Sequence, residues 1–306
     1  MTPPTTASLP DPLVEVRGLD RTFGTRRVLR GVTFDLRRTG IVGLVGRNGV
    51  GKTTLMGILA GQLRRSGGEA TVAGEDPFDN AAAMDHVCFT GVDVVYPPQW
   101  QVNTVLSVAA ARYPRWDTDL ADDLAGRFGV ARFGRVSSLS TGQRSLVSII
   151  VGLASRAPLT LLDEPYSGLD VQNRRLFYEV LAEAQENDPR CIVLSTHQLA
   201  DAGRIVDRLL ILGAGGYLTH DIDGADLGDR VVRLTGSTER MSTVLDDLRA
   251  SPDVRVTGMR DIAGSMSVDV DLQGSRLSAL AMPSGVTVER LGTEDTVIAL
   301  TGGPES

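Results

Sequence analysis

The residues Gly46-Arg47-Asn48-Gly49-Val50-Gly51-Lys52-Thr53-Thr54 carry the most specific chemistry in the chain. They fit GxxxxGK[ST], a spacing whose glycines let several backbone N–H groups converge on one phosphate. A helix starting near Lys52 would add its positive dipole end at the same point. Thr53 would offer a hydroxyl to Mg²⁺. Lys52 is the only lysine among 31 basic residues. Arginine is a planar fork, lysine a compact point charge on a thin stem. A loop wrapped round a phosphate has room for the second. The alternative is a chance match in a glycine-rich loop.

Other groups have the right chemistry to join it. Asp163-Glu164 end the apolar run Leu159-Thr160-Leu161-Leu162. Carboxylates beside a buried strand are costly unless partnered. The position makes sense where the strand's carboxyl end meets a ligand crevice. Asp163 then suits Mg²⁺, and Glu164 suits a general base for an attacking water. The alternative is an acidic N-cap pair for the next helix. His197 closes Cys191-Ile192-Val193-Leu194-Ser195-Thr196 in the same layout, so a contact to phosphate is reasonable. A lone histidine is more often a satisfied polar side chain. Phe23 precedes the loop and suits stacking on a base, worth roughly 1–3 kcal/mol by analogy with nucleic acids. Its alternative is a place in the core. Ser140-Thr141-Gly142-Gln143 opens an apolar stretch, with Ser140 a good N-cap and Gly142 leaving the backbone accessible. This is either a plain helix start or a second anion-binding one.

These residues need strands and helices to hold them. Ile41-Val42-Gly43-Leu44-Val45 has the length and apolarity of a buried parallel strand. Residues 13–17 and 32–36 alternate like half-exposed strands, and 69–74, 87–89 and 209–212 read as further strands. Helical spacing marks 104–111 and 120–128, where Leu120, Leu124 and Phe128 share a face. The helix after Asp170 carries Leu176, Phe177, Val180, Leu181 and Ala184 on one face. Strand–helix alternation implies an α/β parallel sheet. The Gly- and Asp-rich segment 213–228 reads as a boundary. Beyond it come Val231-Val232-Arg233-Leu234, a helix over about 237–248, and apolar runs at 254–256, 266–270, 286–288 and 297–300. They form a small α+β module without polar clusters.

Composition narrows the classes. A chain of 306 residues allows one large domain, or one plus a small one. A net charge of −7 without a long basic run argues against nucleic acid as the main partner. Arg26-Arg27 and Arg37-Arg38 read as solvated surface. Cys88 and Cys191 sit in apolar runs and read as buried strand thiols. Three histidines give no metal cluster. Residues 1–12 are Thr/Pro-rich and read as a disordered lead-in, not a signal peptide. The longest apolar run, about 146–154, is far from the roughly 20 residues that span a bilayer. A soluble, cytoplasmic chain is expected, working at a membrane only through another subunit.

The order of these pieces resembles the ATP-binding-cassette (ABC) ATPase subunit over about residues 13–217. Gly46 to Thr53 matches the family's Walker A motif. Leu139-Ser140-Thr141-Gly142-Gln143 looks like the LSGGQ signature with one glycine replaced by threonine. Leu161-Leu162-Asp163-Glu164-Pro165 matches Walker B, Ser167-Gly168-Leu169-Asp170 the D-loop, His197 the H-loop, and Phe23 the adenine-stacking aromatic. The family's Q-loop glutamine is the departure: Val92 or Asp93 stands there, Gln99 and Gln101 come several residues later, and Asp93 is the substitute considered.

The resemblance implies an α/β P-loop NTPase cassette over 13–222, with a mixed-sheet core, a helical insert over about 94–145, and a small α+β accessory module over 229–306. It implies that Gly46, Asn48, Gly49, Gly51, Lys52, Thr53 and Thr54 bind the phosphates of ATP. Thr53 and Asp163 would hold Mg²⁺, Glu164 would activate water, and His197 would contact the γ-phosphate. Ser140, Gly142 and Gln143 would act on the nucleotide of a second cassette, identical or different, and Asp170 of the D-loop would join the nucleotide-binding residues. An integral-membrane permease subunit is the other expected partner, on the inner face of the membrane, and no direct nucleic-acid contact is expected. Residues 112–129 look similar to the helical region of small bacterial exporter-type cassettes, so export is the expected direction. The competing reading is a soluble ABC-type ATPase acting on nucleic acid or the ribosome. Such relatives carry paired cassettes, long coiled coils or zinc clusters, and this chain has one cassette and none of those. A kinase or GTPase fails on the signature and on the lack of an NKxD-like motif.

Overall fold

The computed structural model describes residues 10–91, 93–196, 205–273, 275 and 284–301. They form two compact units. One reaches residue 196 and takes up Ile205–Asp221, and the other begins at Ile222. Of the expected lead-in, residues 1–9 lie outside the described residues, as do Val92 and His197.

The first unit opens with β1 (Val14–Phe23), β2 (Arg26–Leu36), β3 (Gly40–Val45), α1 (Lys52–Leu59) and β4 (Gly67–Val72). It continues through α2 (Ala81–Met84), β5 (Val87–Gly91), α3 (Val102–Arg112), α4 (Thr118–Arg127), α5 (Thr141–Ala154) and β6 (Leu159–Asp163). It closes with α6 (Val171–Asn187), β7 (Cys191–Thr196), β8 (Arg208–Leu212) and β9 (Leu218–Asp223). β1 pairs antiparallel with β2 and β4 in a three-stranded sheet. A six-stranded sheet runs β5-β6-β7-β3-β8-β9. Its pairs from β5 to β8 are parallel. The result is a mixed α/β cassette core with a helical subdomain. Among the described residues no helix is long and apolar enough to cross a membrane.

Burial explains the parallel core. β6 and β7 are buried along their whole length, as strands covered on both faces must be. On one side, Leu44, Leu161, Val193 and Leu210 join Leu55 and Met56 of α1 and Leu19 and Val32 of the small sheet in one apolar cluster. On the other side α5 lies on β5 and β6. It sits so close that a Cβ on Gly152 would stand 2.5 Å from Cδ2 of Leu162. Cys88 and Cys191 are free and buried, and burial pushes the Cys191 thiol up to about 12.

Register then positions the chemistry. Gly91 pairs with Asp163, Asp163 with Ser195, and Ser195 with Leu44. Four strands therefore end at one level. The segments that leave β5, β6 and β3 carry Asp93, Glu164 and the phosphate loop.

The second unit contains α7 (Leu227–Arg230), β10 (Val231–Ser237), α8 (Thr238–Ala250), β11 (Arg255–Ile262), β12 (Ser265–Asp271), β13 (Thr287–Arg290) and α9 (Thr293–Thr301). Its sheet runs β11-β12-β10-β13 with every pair antiparallel. With α8 following the first strand, this is the strand order of a split-βαβ, ferredoxin-like sheet. Val232, Leu234, Val244, Leu248, Val268 and Val270 share its core.

Three expectations are corrected here. The apolar run Val297-Ile298-Ala299-Leu300, named alongside runs that form strands, lies in α9; a four-residue apolar run does not distinguish the two states. Residues 213–228 are not only a boundary, because β9 lies within them at the edge of the large sheet. The second module does have polar clusters. Arg233 grips Asp269 through two hydrogen bonds of 2.7 and 3.0 Å, and Arg230 bonds the fully buried Asp271 at 3.2 Å.

Phe177 of α6 is 0% exposed and meets the Tyr166 ring edge-on, with centroids 5.6 Å apart. It thereby holds the turn that follows β6. Phe177→Ala is expected to lower stability by about 3–5 kcal/mol, read as an earlier midpoint in urea denaturation.

Candidate functional site

The phosphate loop is shaped by steric exclusion. A Cβ on Gly46 would lie 2.6 Å from the Leu212 carbonyl oxygen, and one on Gly51 would lie 2.8 Å from Cδ2 of Leu29. Gly49 and Gly51 also take φ values of 76° and 122°, which side chains resist. Gly51 is the N-cap of α1, and no side chain caps this helix. Its first amides therefore remain available to an anion at the positive end of the helix. Lys52 is 6% exposed. Its Nζ donates to the Gly46 carbonyl at 2.8 Å and to the Arg47 carbonyl at 3.5 Å. Asn48 and Thr53 are exposed and Thr54 is half-buried. Arg26 of β2 reaches the loop, donating to the Gly49 carbonyl at 3.5 Å.

The acidic pair arrives from β6. Glu164 Oε1 lies 3.4 Å from Lys52 Nζ. Asp163 is buried, and one carboxylate oxygen accepts a hydrogen bond from the Ser195 hydroxyl. The same hydroxyl accepts the Glu164 backbone N–H at 2.9 Å. Glu164 takes a left-handed φ of 47°. Neither acid caps the next helix, because Asp170 does, accepting from the Asn173 N–H at 2.8 Å. Ser195 is the member that sequence reading missed. Its only signal is a hydroxyl that directly follows the apolar run Cys191 to Leu194, two residues before His197.

Ser140 and Gln143 form a reciprocal capping box at the start of α5. Gly142 and Gly168 meet backbone to backbone. A Cβ on Gly142 would stand 2.3 Å from the Gly168 carbonyl oxygen, and one on Gly168 would stand 2.8 Å from the Gly142 nitrogen. The Ser145 hydroxyl adds a 2.6 Å bond to the Ser167 carbonyl. The signature stretch and the Asp170 turn are thus joined within one chain. Among the described residues, no hydrogen bond or ion pair links Ser140, Gly142 or Gln143 to the phosphate loop.

Phe23 is 42% exposed, not a core residue, and the Arg21 guanidinium lies 4.1 Å from its ring centroid. Asp93 is exposed in the turn after β5. The structure therefore brings together the phosphate loop, Lys52, Glu164 and Asp163, with Ser195 between the acids. This places a buried cation and a helix start beside two carboxylates, an arrangement suited to holding a phosphoryl group near a base.

Comparison with known proteins follows the same lines. The family model described as ABC transporter matches residues 29–167. A cobalamin import ATP-binding protein of Halobacterium salinarum is 30% identical over 304 residues, covering 96% of this chain and 68% of that protein. An aliphatic sulfonates import ATP-binding protein of Xanthomonas axonopodis pv. citri is 32% identical over 214 residues, covering 70% and 72%. A solved structure of the ATP binding subunit of an ABC transporter superposes with TM-score 0.63 at 25% identity, covering 71% of this chain and 92% of that one. A bacterial Atm1-family ABC exporter with ATP bound shares the fold, at TM-score 0.59 and 19% identity over 70% of this chain and 39% of that one.

Gly168 has φ 72° as well as the close approach to Gly142. Gly168→Ala should cost about 1–3 kcal/mol. It should also speed amide exchange in the first turn of α5, as measured by hydrogen–deuterium exchange.

Proposed function

This chain belongs to the ABC transporter family, and from that premise we propose how its residues turn ATP hydrolysis into work on a membrane partner. It is an ATP-binding, ATP-hydrolysing subunit of a transporter. The observation that carries the residue roles is the buried Lys52 ammonium, held between the Gly46 carbonyl and the Glu164 carboxylate. In this proposal the α1 amides and Lys52 hold the β- and γ-phosphates, with Gly46, Asn48, Gly49, Gly51 and Thr54 shaping the cradle. Phosphate oxygens would compete with Glu164 for Lys52, leaving Glu164 to accept a proton from water. Phe23 offers its ring to adenine. His197, outside the described residues, is assigned the γ-phosphate contact from its motif alone. Asp93 stands in for the Q-loop glutamine.

The residues fit a divalent cation. Asp163 is a buried carboxylate whose second oxygen has no partner among the described residues, and the Thr53 hydroxyl is exposed at the start of α1. Magnesium is commonly held by one or two protein groups plus substrate phosphates. Thr53 and Asp163 would hold it here, and when bound it would offset charge on the phosphates.

Ser140, Gly142, Gln143 and Asp170 would complete the site of a second cassette, identical or different. The side chains of Ser140, Gln143 and Asp170 are engaged locally, which supports a preformed surface presented to a partner. A permease subunit would seat this chain on the inner face of the membrane, near Asp93 and the helical insert. Export rests on the likeness of residues 112–129 to exporter-type cassettes, while the relatives named for a transported compound are importers. Transport into or out of vesicles of fixed orientation separates the two.

Glu164→Gln should cut ATP turnover by roughly 10²–10⁴-fold while ATP binding persists and an ATP-bound dimer accumulates in size-exclusion chromatography. Wild-type turnover in this variant would overturn the base assignment. The chain purified from membranes should bring down a multi-span protein. Sedimentation with ribosomes or DNA instead would overturn the transporter reading of this chain.

A further inference from the structure

Ser195 stands directly opposite Asp163 in the parallel pairing of β6 and β7. Its side chain is 0% exposed, in a strand whose other residues from Cys191 to Leu194 are apolar. Packing alone calls for no hydroxyl there. The hydroxyl has one proton and acceptor lone pairs, and both capacities are used. It donates to Oδ1 of Asp163 and accepts the Glu164 N–H at 2.9 Å. One side chain therefore touches the carboxylate assigned to the metal and the backbone of the residue assigned as base.

We infer that Ser195 is a positioning residue for ATP hydrolysis. By occupying one oxygen of Asp163 it sets the plane of that carboxylate and leaves the other oxygen for the cation. By holding the Glu164 amide it stabilises the φ of 47° that places Glu164 Oε1 3.4 Å from Lys52. Without the hydroxyl, the part-buried Glu164 N–H and the buried Asp163 carboxylate oxygen both lose a partner, and both groups can reorient. Outer groups that orient metal ligands typically change metal affinity 10–100-fold. This rests on the ATPase reading above.

The test compares Ser195→Thr, which keeps the hydroxyl, with Ser195→Val, which has the shape of the threonine variant without a hydroxyl, and with Ser195→Ala. Circular dichroism establishes folding. Two readouts are taken: the kcat and KM for ATP, and Mn²⁺ affinity in the presence of ATP by electron paramagnetic resonance. The Val and Ala variants should lose roughly 10–100-fold in kcat and in Mn²⁺ affinity, with the KM for ATP within about two-fold of wild type. The Thr variant should stay within about three-fold of wild type in both readouts. If folded Val or Ala variants match wild type in Mn²⁺ affinity and kcat, or if Thr fails as badly as Val, the assignment to Ser195 is overturned. If the wild-type chain itself lacks Mg²⁺-dependent ATPase activity, the ATPase reading falls first, and separately.

Discussion

Parallel pairing places Gly91, Asp163, Ser195 and Leu44 in one row across β5, β6, β7 and β3. The contacts among Lys52, Asp163, Glu164 and Ser195 depend on that row. A parallel strand carries its side chains with a period of two, so a slip of one residue would exchange the faces of Asp163 and Leu162. The ends of the apolar runs oppose the slip, because β6 and β7 are buried along their whole length and sliding β6 along its partner would draw the half-buried Glu164 into the sheet. The chemistry at the strand ends is thus a by-product of packing in the middle of the sheet. Glu164 and Lys52 come within 3.4 Å because β3 and β6 both pair with β7.

How much of this is legible in the sequence depends on the distance over which each interaction acts. The phosphate loop, the Ser140 cap and the Asp163-Glu164 strand end are local patterns, in which spacing along the chain and spacing in space coincide. Ser195 is not local: its partners are 31 and 32 residues away, and a serine inside an apolar strand has the same spelling whether it is idle or engaged. The Gly142–Gly168 approach is hidden for the same reason, since glycine leaves no chemical trace of what it lets in. β9 escaped because its burial is confined to alternate positions in a glycine- and aspartate-rich stretch. His197 was read from its motif and lies outside the described residues.

The second unit uses charge where the first uses hydrocarbon. Arg233 and Asp269 are direct cross-strand partners of β10 and β12, so their paired hydrogen bonds fix that register as well as the ion pair. Asp271, further along β12, is held instead by Arg230 at the end of α7, next to its cross-strand partner Val231. Buried pairs of this kind contribute little net stability compared with apolar substitutes, but breaking one leaves an isolated charge. They therefore favour one pairing over its neighbours in a small sheet whose single apolar core would tolerate several.

The sparse use of lysine has a practical consequence. A chain with one lysine, 6% exposed and folded over the phosphate loop, carries a single ε-ammonium group. Isotope labelling of lysine alone would yield one side-chain nitrogen resonance, arising from the floor of the site. The composition of this protein thus supplies a built-in spectroscopic reporter, free of overlap, for anything that enters the loop.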